Sequence, residues 1–336
     1  MPDVIASYPT LMDVARRSGS DSTRAIVEVL NRTNDALDDI PWIECNSGVV
    51  HKTTTRTSIP TPVWRMLNAG VPVKKSTTKQ MSVGCGMLEV YAEVDCKQVK
   101  LAARGQVDNA SANAAAAHAL ADENQAFIEG FGQEISRVMF YGDPAKPQEP
   151  IGLTNWYSSL SDTNVISAGG SGSDNTSIWL IAWDKMAIHG IYPQGSKAGI
   201  SEEFLGQHTV KDANGDQFEA YRTHYSWDAG FVVRDNRCAV RICNVDMSDL
   251  VAGNTNAADL IDLMISAVYK LPKVARAYRK AFYVRPEVIT ALDKQTRKQP
   301  NLMLNYSDVF GKKVLSFREI PIREQESLLA TESTVA

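Results

Sequence analysis

The sequence is short of several things, and each shortage removes a class of function. No apolar run in its 336 residues approaches the roughly 20 residues that a membrane-spanning helix needs. Its opening stretch, Met1-Pro-Asp-Val-Ile-Ala-Ser-Tyr-Pro-Thr, lacks the basic start and apolar segment of a secretory signal. Five cysteines, at 45, 85, 96, 238 and 243, are an odd number without the spacing of a disulfide framework, so reduced thiols in a cytosol are expected. The five histidines (51, 118, 189, 208 and 224) include no pair at zinc spacing, and Cys238-x4-Cys243 has no second pair and would put its sulfurs on opposite faces of a strand. No metal or cofactor is expected. An excess of positive charge is missing too: 35 Lys+Arg stand against 39 Asp+Glu, a net charge of −4, where a dedicated nucleic-acid binder would be basic. With 44% hydrophobic and 22% charged residues, the chain has the composition of a globular protein rather than a disordered one. Its length allows two or more domains, or one core with large excursions.

The most informative shortage is local. Between Cys45 and Leu88 there is no Asp or Glu, while Lys52, Arg56, Arg65, Lys74, Lys75 and Lys79 all fall there. An arm of +6 leaves a body of −10, with 29 Lys+Arg against all 39 Asp+Glu. The arm is also a poor folding unit. It opens with the polar run His51-Lys-Thr-Thr-Thr-Arg-Thr-Ser, and Pro60, Pro62 and Pro72 disfavour a helix or a central strand. Such a segment must find its packing partners elsewhere. An acidic body supplies the opposite sign, and a second copy of the same chain is the simplest source of one.

Around the arm the patterning predicts a mixed α+β chain. Thr10 to about Asp39 reads as two short helices broken near Gly19, and Asn68-Ala-Gly70 as a reversal in the arm. Leu88, Val90, Ala92, Val94 and Cys96 alternate with Glu89, Tyr91, Glu93, Asp95 and Lys97, the period of a half-buried strand. From a cap at Asp108 or Asn109, an Ala-rich run (Ala112–Ala121) continues through Phe127, Ile128, Ile135, Val138 and Met139 to a stop at Gly142. This predicts a long helix that Gly130 and Gly132 should kink or break. The connector Asp143-Pro-Ala-Lys-Pro-Gln-Glu-Pro150 marks a boundary. Beyond it, Ile178–Trp183 reads as a buried strand, with hairpins at Asn214-Gly215 and Asp235-Asn236. Between these turns, Tyr221, Thr223, Tyr225, Trp227, Ala229 and Phe231 share one face of a strand, with Arg222, His224, Ser226 and Asp228 on the other. An amphipathic helix over Asn256–Leu271, a strand at Ala281–Val284, a helix with Pro286 at its first position, and two strands separated by Gly311, the second being Val314–Ile320, complete the chain.

Signs of catalysis dissolve on inspection. His224, Ser226 and Asp228 lie at i, i+2 and i+4 of one strand, so successive members sit roughly 6.8 Å apart, whereas a working triad needs contacts of about 2.6–3.2 Å. A solvated strand face explains them. Gly169-Gly-Ser-Gly172-Ser173 has neither the second glycine of a nucleophile elbow nor the third of a dinucleotide fingerprint. Gly190-Ile-Tyr-Pro-Gln-Gly195-Ser196-Lys197 resembles a phosphate loop with its last two residues transposed, and Pro193 offers no amide. His118, in an alanine stripe, reads as a packed helix residue. The arm lacks the dense basic cluster with interleaved aromatics of a nucleic-acid groove, so contact between subunits is the better reading of it.

A basic extended arm, a long Ala-rich helix, a β-rich region and a small closing α+β segment follow one another here. That order resembles the major capsid proteins of tailed phages, the Hong Kong 97-type fold. Trp183-Asp-Lys-Met-Ala-Ile-His-Gly-Ile-Tyr-Pro-Gln-Gly195 and Tyr221-Arg-Thr-His-Tyr-Ser-Trp-Asp-Ala-Gly-Phe-Val-Val-Arg-Asp-Asn-Arg-Cys-Ala-Val-Arg241 are similar to the short-tailed, epsilon-fifteen type. So is the ending from Pro286-Glu-Val to Asp308-Val-Phe-Gly311-Lys-Lys-Val-Leu-Ser-Phe-Arg-Glu-Ile-Pro321-Ile. The resemblance implies an N-terminal arm (1–46), an extended β-hairpin loop and following strand (47–104), a peripheral-domain spine helix (105–150), an axial domain (151–272) and a closing segment (273–336). It implies a structural role without an active site: pentamers and hexamers of an icosahedral head around double-stranded DNA, assembled from protein made in the bacterial cytoplasm. Lys52, Arg56, Trp64, Arg65, Lys74, Lys75 and Lys79 would be the contacts of the extended loop with a neighbouring subunit. The archetype of the fold locks its subunits with Lys–Asn cross-links assisted by a Glu. Lys52, Lys74, Lys75 and Lys79 supply amines here, but no motif singles one out. The short N-terminal part implies a separate scaffold protein. Other implied partners are a cementing protein, a portal, and weak nonspecific contact with the packaged DNA. Two rival readings are a cytosolic hydrolase acting through Ser171 or the His224 strand, and a phage tail or filament subunit.

Overall fold

The computed structural model describes residues 35–96, 127–211, 217–254, 257–298, 304–309 and 312–336. Both helices read over Thr10–Asp39 fall outside these residues except for α1 (Asp35–Asp39). Also outside are the cap at Asp108 or Asn109, the alanine run Ala112–Ala121, and His118.

The centre of the molecule is β6 (Asn175–Trp183), all nine residues of which are buried. An apolar run of this kind has no solvated face to alternate with, because strands and packing layers cover both sides. On one edge β6 pairs antiparallel with β10 (Ala239–Asp246), which pairs parallel with β5 (Val165–Ser167). On the other edge it pairs antiparallel with β11 (Arg279–Val284). From β11 the layer continues through β14 (Ile320–Glu324), β13 (Lys312–Phe317) and β12 (Leu304–Val309). Where the sequence predicts two strands flanking Gly311 after the Pro286 helix, the described residues hold three. Arg318 and Glu319, both at positive φ (50° and 66°), turn the chain back between β13 and β14 and split the predicted Val314–Ile320 strand.

A second wing starts from β7 (Ile188–Tyr192), which pairs parallel with β1 (Trp42–Glu44) and antiparallel with β9 (Gln217–Val233). Gly190 is where Trp42 packs: a β-carbon there would lie 2.7 Å from the indole ring. The 17-residue β9 belongs to two layers. Its last residues join β7, and the rest lies between β4 (Gly86–Asp95) and β8 (Ser201–Lys211). The predicted alternation holds on both β4 and β9. Ala92, Thr223, Tyr225, Trp227 and Ala229 are buried, while Glu89, Tyr91 and Glu93 are exposed. β8 and β9 pair antiparallel up to Lys211 opposite Gln217, and the predicted Asn214-Gly215 turn between them lies outside the described residues.

Asp235-Asn236 does not make a hairpin. The Asp235 carboxylate accepts from the Arg237 amide and caps a single 3-10 turn over Asn236–Cys238, which sends the chain to β6 rather than back along β9. Cys238 thus sits on a turn and not on the strand that carries Cys243.

The helix α2, over residues 127–141, packs Ile128, Phe131, Ile135, Val138 and Met139 inward at spacings of three and four. It runs unbroken through Gly130 and Gly132. Burial of this face outweighs the roughly 1 kcal/mol helix cost of each glycine. Phe127 and Phe131 lie on Tyr225 (6.3 and 6.4 Å), and Phe140 lies on Trp179 and Tyr283 (5.7 and 6.4 Å), so α2 bridges the two wings. It ends at Gly142 because the connector passes too close for any side chain: a β-carbon would lie 2.0 Å from the Pro150 carbonyl.

The remaining helices are α3 (Met247–Ala252), α4 (Leu260–Lys270) and α5 (Pro286–Lys298). Asp259 caps α4 through the amides of Ile261 and Asp262, α4 lies on β10, and both α3 and α4 meet α5.

The C-terminal residues form a strap. Glu332 bridges to Asn175 by backbone hydrogen bonding, the Asn244 side chain holds both the amide and the carbonyl of Val335, and Leu160 donates to the Ala336 carbonyl. Beneath the strap, the Glu332 carboxylate accepts from Arg241 (2.8 Å), Ser177 and Tyr141 in a nearly water-free site. Arg241 also donates to the Tyr157 carbonyl (2.8 Å) and lies over Trp179 (5.4 Å).

Candidate inter-subunit surface

The acid-free segment forms a two-stranded ribbon. β2 (Val50–Ser58) and β3 (Thr77–Gly84) pair antiparallel, from Val50 opposite Gly84 out to Ser58 opposite Thr77. Neither strand belongs to the large sheet. Nine residues of strand reach about 30 Å. Beyond them, residues 59–76 make a tip with no strand or helix. The predicted reversal lies at its end, where Ala69 donates to the Met66 carbonyl and Asn68 takes φ 67°.

Only the root of the ribbon is anchored. Val83 packs with Cys45, Ile191 and Val232 in a small cluster, flanked by Met81 and Cys85. Asn46 brackets Lys52, donating to its carbonyl and accepting from its amide, each at 2.8 Å. His51 meets His189 edge-on at 5.5 Å. Burial, together with His51 and Arg234 nearby, lowers the pKa of His189 to about 3. Further out, Thr55 donates to the Arg234 carbonyl (3.3 Å), and the ribbon then leaves the body.

All seven residues singled out from the sequence, Lys52, Arg56, Trp64, Arg65, Lys74, Lys75 and Lys79, are exposed. None of the six cations pairs with a carboxylate of the described residues. Lys74 instead donates to the Thr61 carbonyl (2.9 Å), which steadies the tip. Trp64 is completely exposed, as is Val73, and Ile59, Met66 and Leu67 are each more than 80% exposed. Those four apolar neighbours were not singled out from the sequence, although their clustering over residues 59–73 was there to be read. Five large apolar side chains exposed at one tip form a patch of the kind that marks an interaction site.

The other motifs resolve as packing. His224 pairs with Glu89 (3.3 Å) and stacks on Tyr91 (4.5 Å), and it makes no hydrogen bond to Ser226 or Asp228. In the Gly190–Lys197 stretch, the Gly195 amide donates to the Glu44 carboxylate (2.7 Å), so an acidic group already stands where a phosphate would need to be. Among the described residues, no three His, Cys, Asp or Glu gather where they could hold a metal ion, and no helix is long and apolar enough to cross a membrane.

The ribbon is basic, apolar-tipped and held to the body at its root. Comparison with known proteins gives the class of protein that carries it. The family model for major capsid protein GP7 matches residues 18–336. A chain of the bacteriophage Epsilon15 structure is 35% identical, superimposes with a TM-score of 0.67, and the match covers 89% of this chain and 88% of that one. More remote likenesses include the bacteriophage JBD30 capsid (7% identity, TM-score 0.46, 85% and 88% covered) and the SrpI encapsulin of Synechococcus elongatus PCC 7942 (10%, 0.41, 69% and 95%). The curated proteins contain no match. The chain belongs to the major capsid protein GP7 family. It has the α+β Hong Kong 97-type capsid fold and is a structural subunit of an icosahedral phage shell, built from copies of itself in the virion.

Proposed function

We propose that residues 47–86 are the clasp between adjoining subunits. Lys52, Arg56, Arg65, Lys74, Lys75 and Lys79 align the ribbon on an acidic neighbour, and Trp64 with the apolar tip buries against it. The observation that carries this reading is the tip itself, fully solvated on its own chain and free of acids across the whole arm. Single surface ion pairs contribute only about 0–1 kcal/mol, so the charges set register while apolar burial and strand pairing hold the contact. The edge of β8 turned away from β9 pairs with no strand among the described residues and carries the exposed Glu203, which suits it to receive such a ribbon.

In this reading the subunit has no catalytic task. It is made in the host cytoplasm and assembles as pentamers and hexamers around double-stranded DNA, which the acidic body touches weakly and without sequence preference. A separate scaffold protein, a portal and a cementing protein complete the head. The division into 1–46, 47–104, 105–150, 151–272 and 273–336 belongs to the same proposal, with β8 and β9 as the part of 151–272 that pairs beside β4, and with α2 as the described part of 105–150. Electron microscopy of the purified, expressed protein tests it. Closed shells or ring-shaped capsomers are expected; filaments, or a small oligomer with hydrolytic turnover, would overturn it.

A further inference from the structure

The geometry points to Cys45 and Cys85 as a disulfide-forming pair that closes the root of the arm. Their sulfurs lie 3.5 Å apart, in contact although 40 positions separate them in the chain. The backbone on both sides is fixed: the Cys45 amide donates to the Tyr192 carbonyl (2.9 Å) and the Cys85 amide to the Val49 carbonyl (3.0 Å). Val83, Ile191 and Val232 pack around them. Bringing the sulfurs to the ~2.05 Å of a disulfide needs a shift of about 1.5 Å, within reach of side-chain rotation and a slight adjustment of the strand ends.

The placement gives the bond a purpose. Cys45 directly precedes the arm and Cys85 directly follows its return strand, so a bond between them would enclose residues 46–84 in one covalent ring and tie both ends of the ribbon to the body. Cys238 and Cys243 make no such thiol–thiol contact among the described residues.

The co-reactant is a small-molecule disulfide such as oxidised glutathione, a class of oxidant met once a particle leaves a reducing cytosol. Cys85, the more accessible of the two, loses its proton to solvent and attacks one sulfur of the oxidant, releasing one thiolate and leaving a mixed disulfide. Cys45 then loses its proton and attacks the Cys85 sulfur, expelling the second thiolate. The protein gives up two electrons and two protons, and the oxidant becomes two thiols. Burial raises the pKa of both cysteines, with Glu44 beside Cys45 and Asp228 beside Cys85 adding to it, so the reaction is slow at neutral pH.

The test uses the whole chain, as subunit and as assembled particle, incubated with oxidised glutathione and then unfolded, alkylated and mapped by mass spectrometry. A peptide pair linked through 45 and 85 is expected, lighter by two hydrogens and released by dithiothreitol, with Cys238 and Cys243 alkylated throughout. Limited proteolysis should cut the oxidised arm without freeing it from the body, and should free it after reduction. Cys85→Ser should abolish the linked pair and leave Cys45 alkylated. Complete alkylation of both cysteines, a mixed disulfide at Cys85 that never resolves, or a different pairing would overturn the assignment. The wild-type comparison with and without reductant decides it even if the variant folds poorly.

Discussion

Replacing Trp64 with alanine separates what the arm does for the assembly from what it does for the fold. The side chain is fully solvated, so its loss removes nothing from the isolated subunit, and the unfolding free energy should move by no more than about 0.5 kcal/mol. In the shell the same side chain is buried under the proposed contact. A tryptophan covers on the order of 200 Å², which at ~25 cal/mol per Å² is about 5 kcal/mol before ordering costs. Alanine keeps a little of this, and fixing the tip on a neighbour offsets more, leaving a loss of about 2–4 kcal/mol per contact, the size of an interface hot spot. At 1.4 kcal/mol per tenfold, the subunit concentration at which assembly begins should rise roughly a hundredfold. Light scattering of purified subunits against concentration measures the onset, and thermal unfolding of dilute subunits supplies the control. Assembly at an unchanged concentration would refute the reasoning. So would a lowered melting temperature of the subunit, since it would mean that Trp64 packs at home.

Charge reversal at Lys74, Lys75 and Lys79 should weaken assembly and remove most of its salt sensitivity while the circular dichroism of the subunit stays as it was; unaffected assembly would deny the arm a major electrostatic role. Glu332→Ala leaves Arg241 charged and unpaired beneath the strap, where both side chains are about 95% buried, and should cost about 3–5 kcal/mol in denaturant unfolding; a loss under 1 kcal/mol would show that water reaches the site. His189, held near pKa 3 against an ordinary value of 6.5, stays neutral in the folded chain while the unfolded chain takes up a proton. Stability is therefore lost as pH falls from about 6.5 toward 3. Asp38, raised to about 6 by burial and by Asp39, acts with the opposite sign over much of that window. The melting temperature of wild type relative to His189→Leu isolates the histidine and should fall steadily from pH 7 to pH 4; a constant difference would contradict the assignment.

The sequence exposes what repeats locally. Residues 86–93 and 222–229 alternate because each stretch has one wetter and one dry face, and Ile178–Trp183 is uniformly apolar because β6 has no wet face. Pro286 marks a helix start through its own backbone chemistry. The arm is legible for a different reason, as an absence of acids over more than forty residues. The errors came where a distant contact outweighs a local preference. Gly130 and Gly132 look like a break, yet the buried face of α2 carries the helix through. Asp235-Asn236 looks like a hairpin, but the Asp235 carboxylate spends itself on the Arg237 amide. Nothing local joins Glu332 to Arg241, or Cys45 to Cys85, since 91 and 40 positions separate them.

The most direct measurement is a residue-resolution reconstruction of the assembled head. The account predicts residues 59–76 lying across an adjoining subunit, with Trp64 buried there and carboxylates of that subunit facing Lys74, Lys75 and Lys79. A head in which the ribbon packs on its own chain, or stands free in solvent, would contradict it.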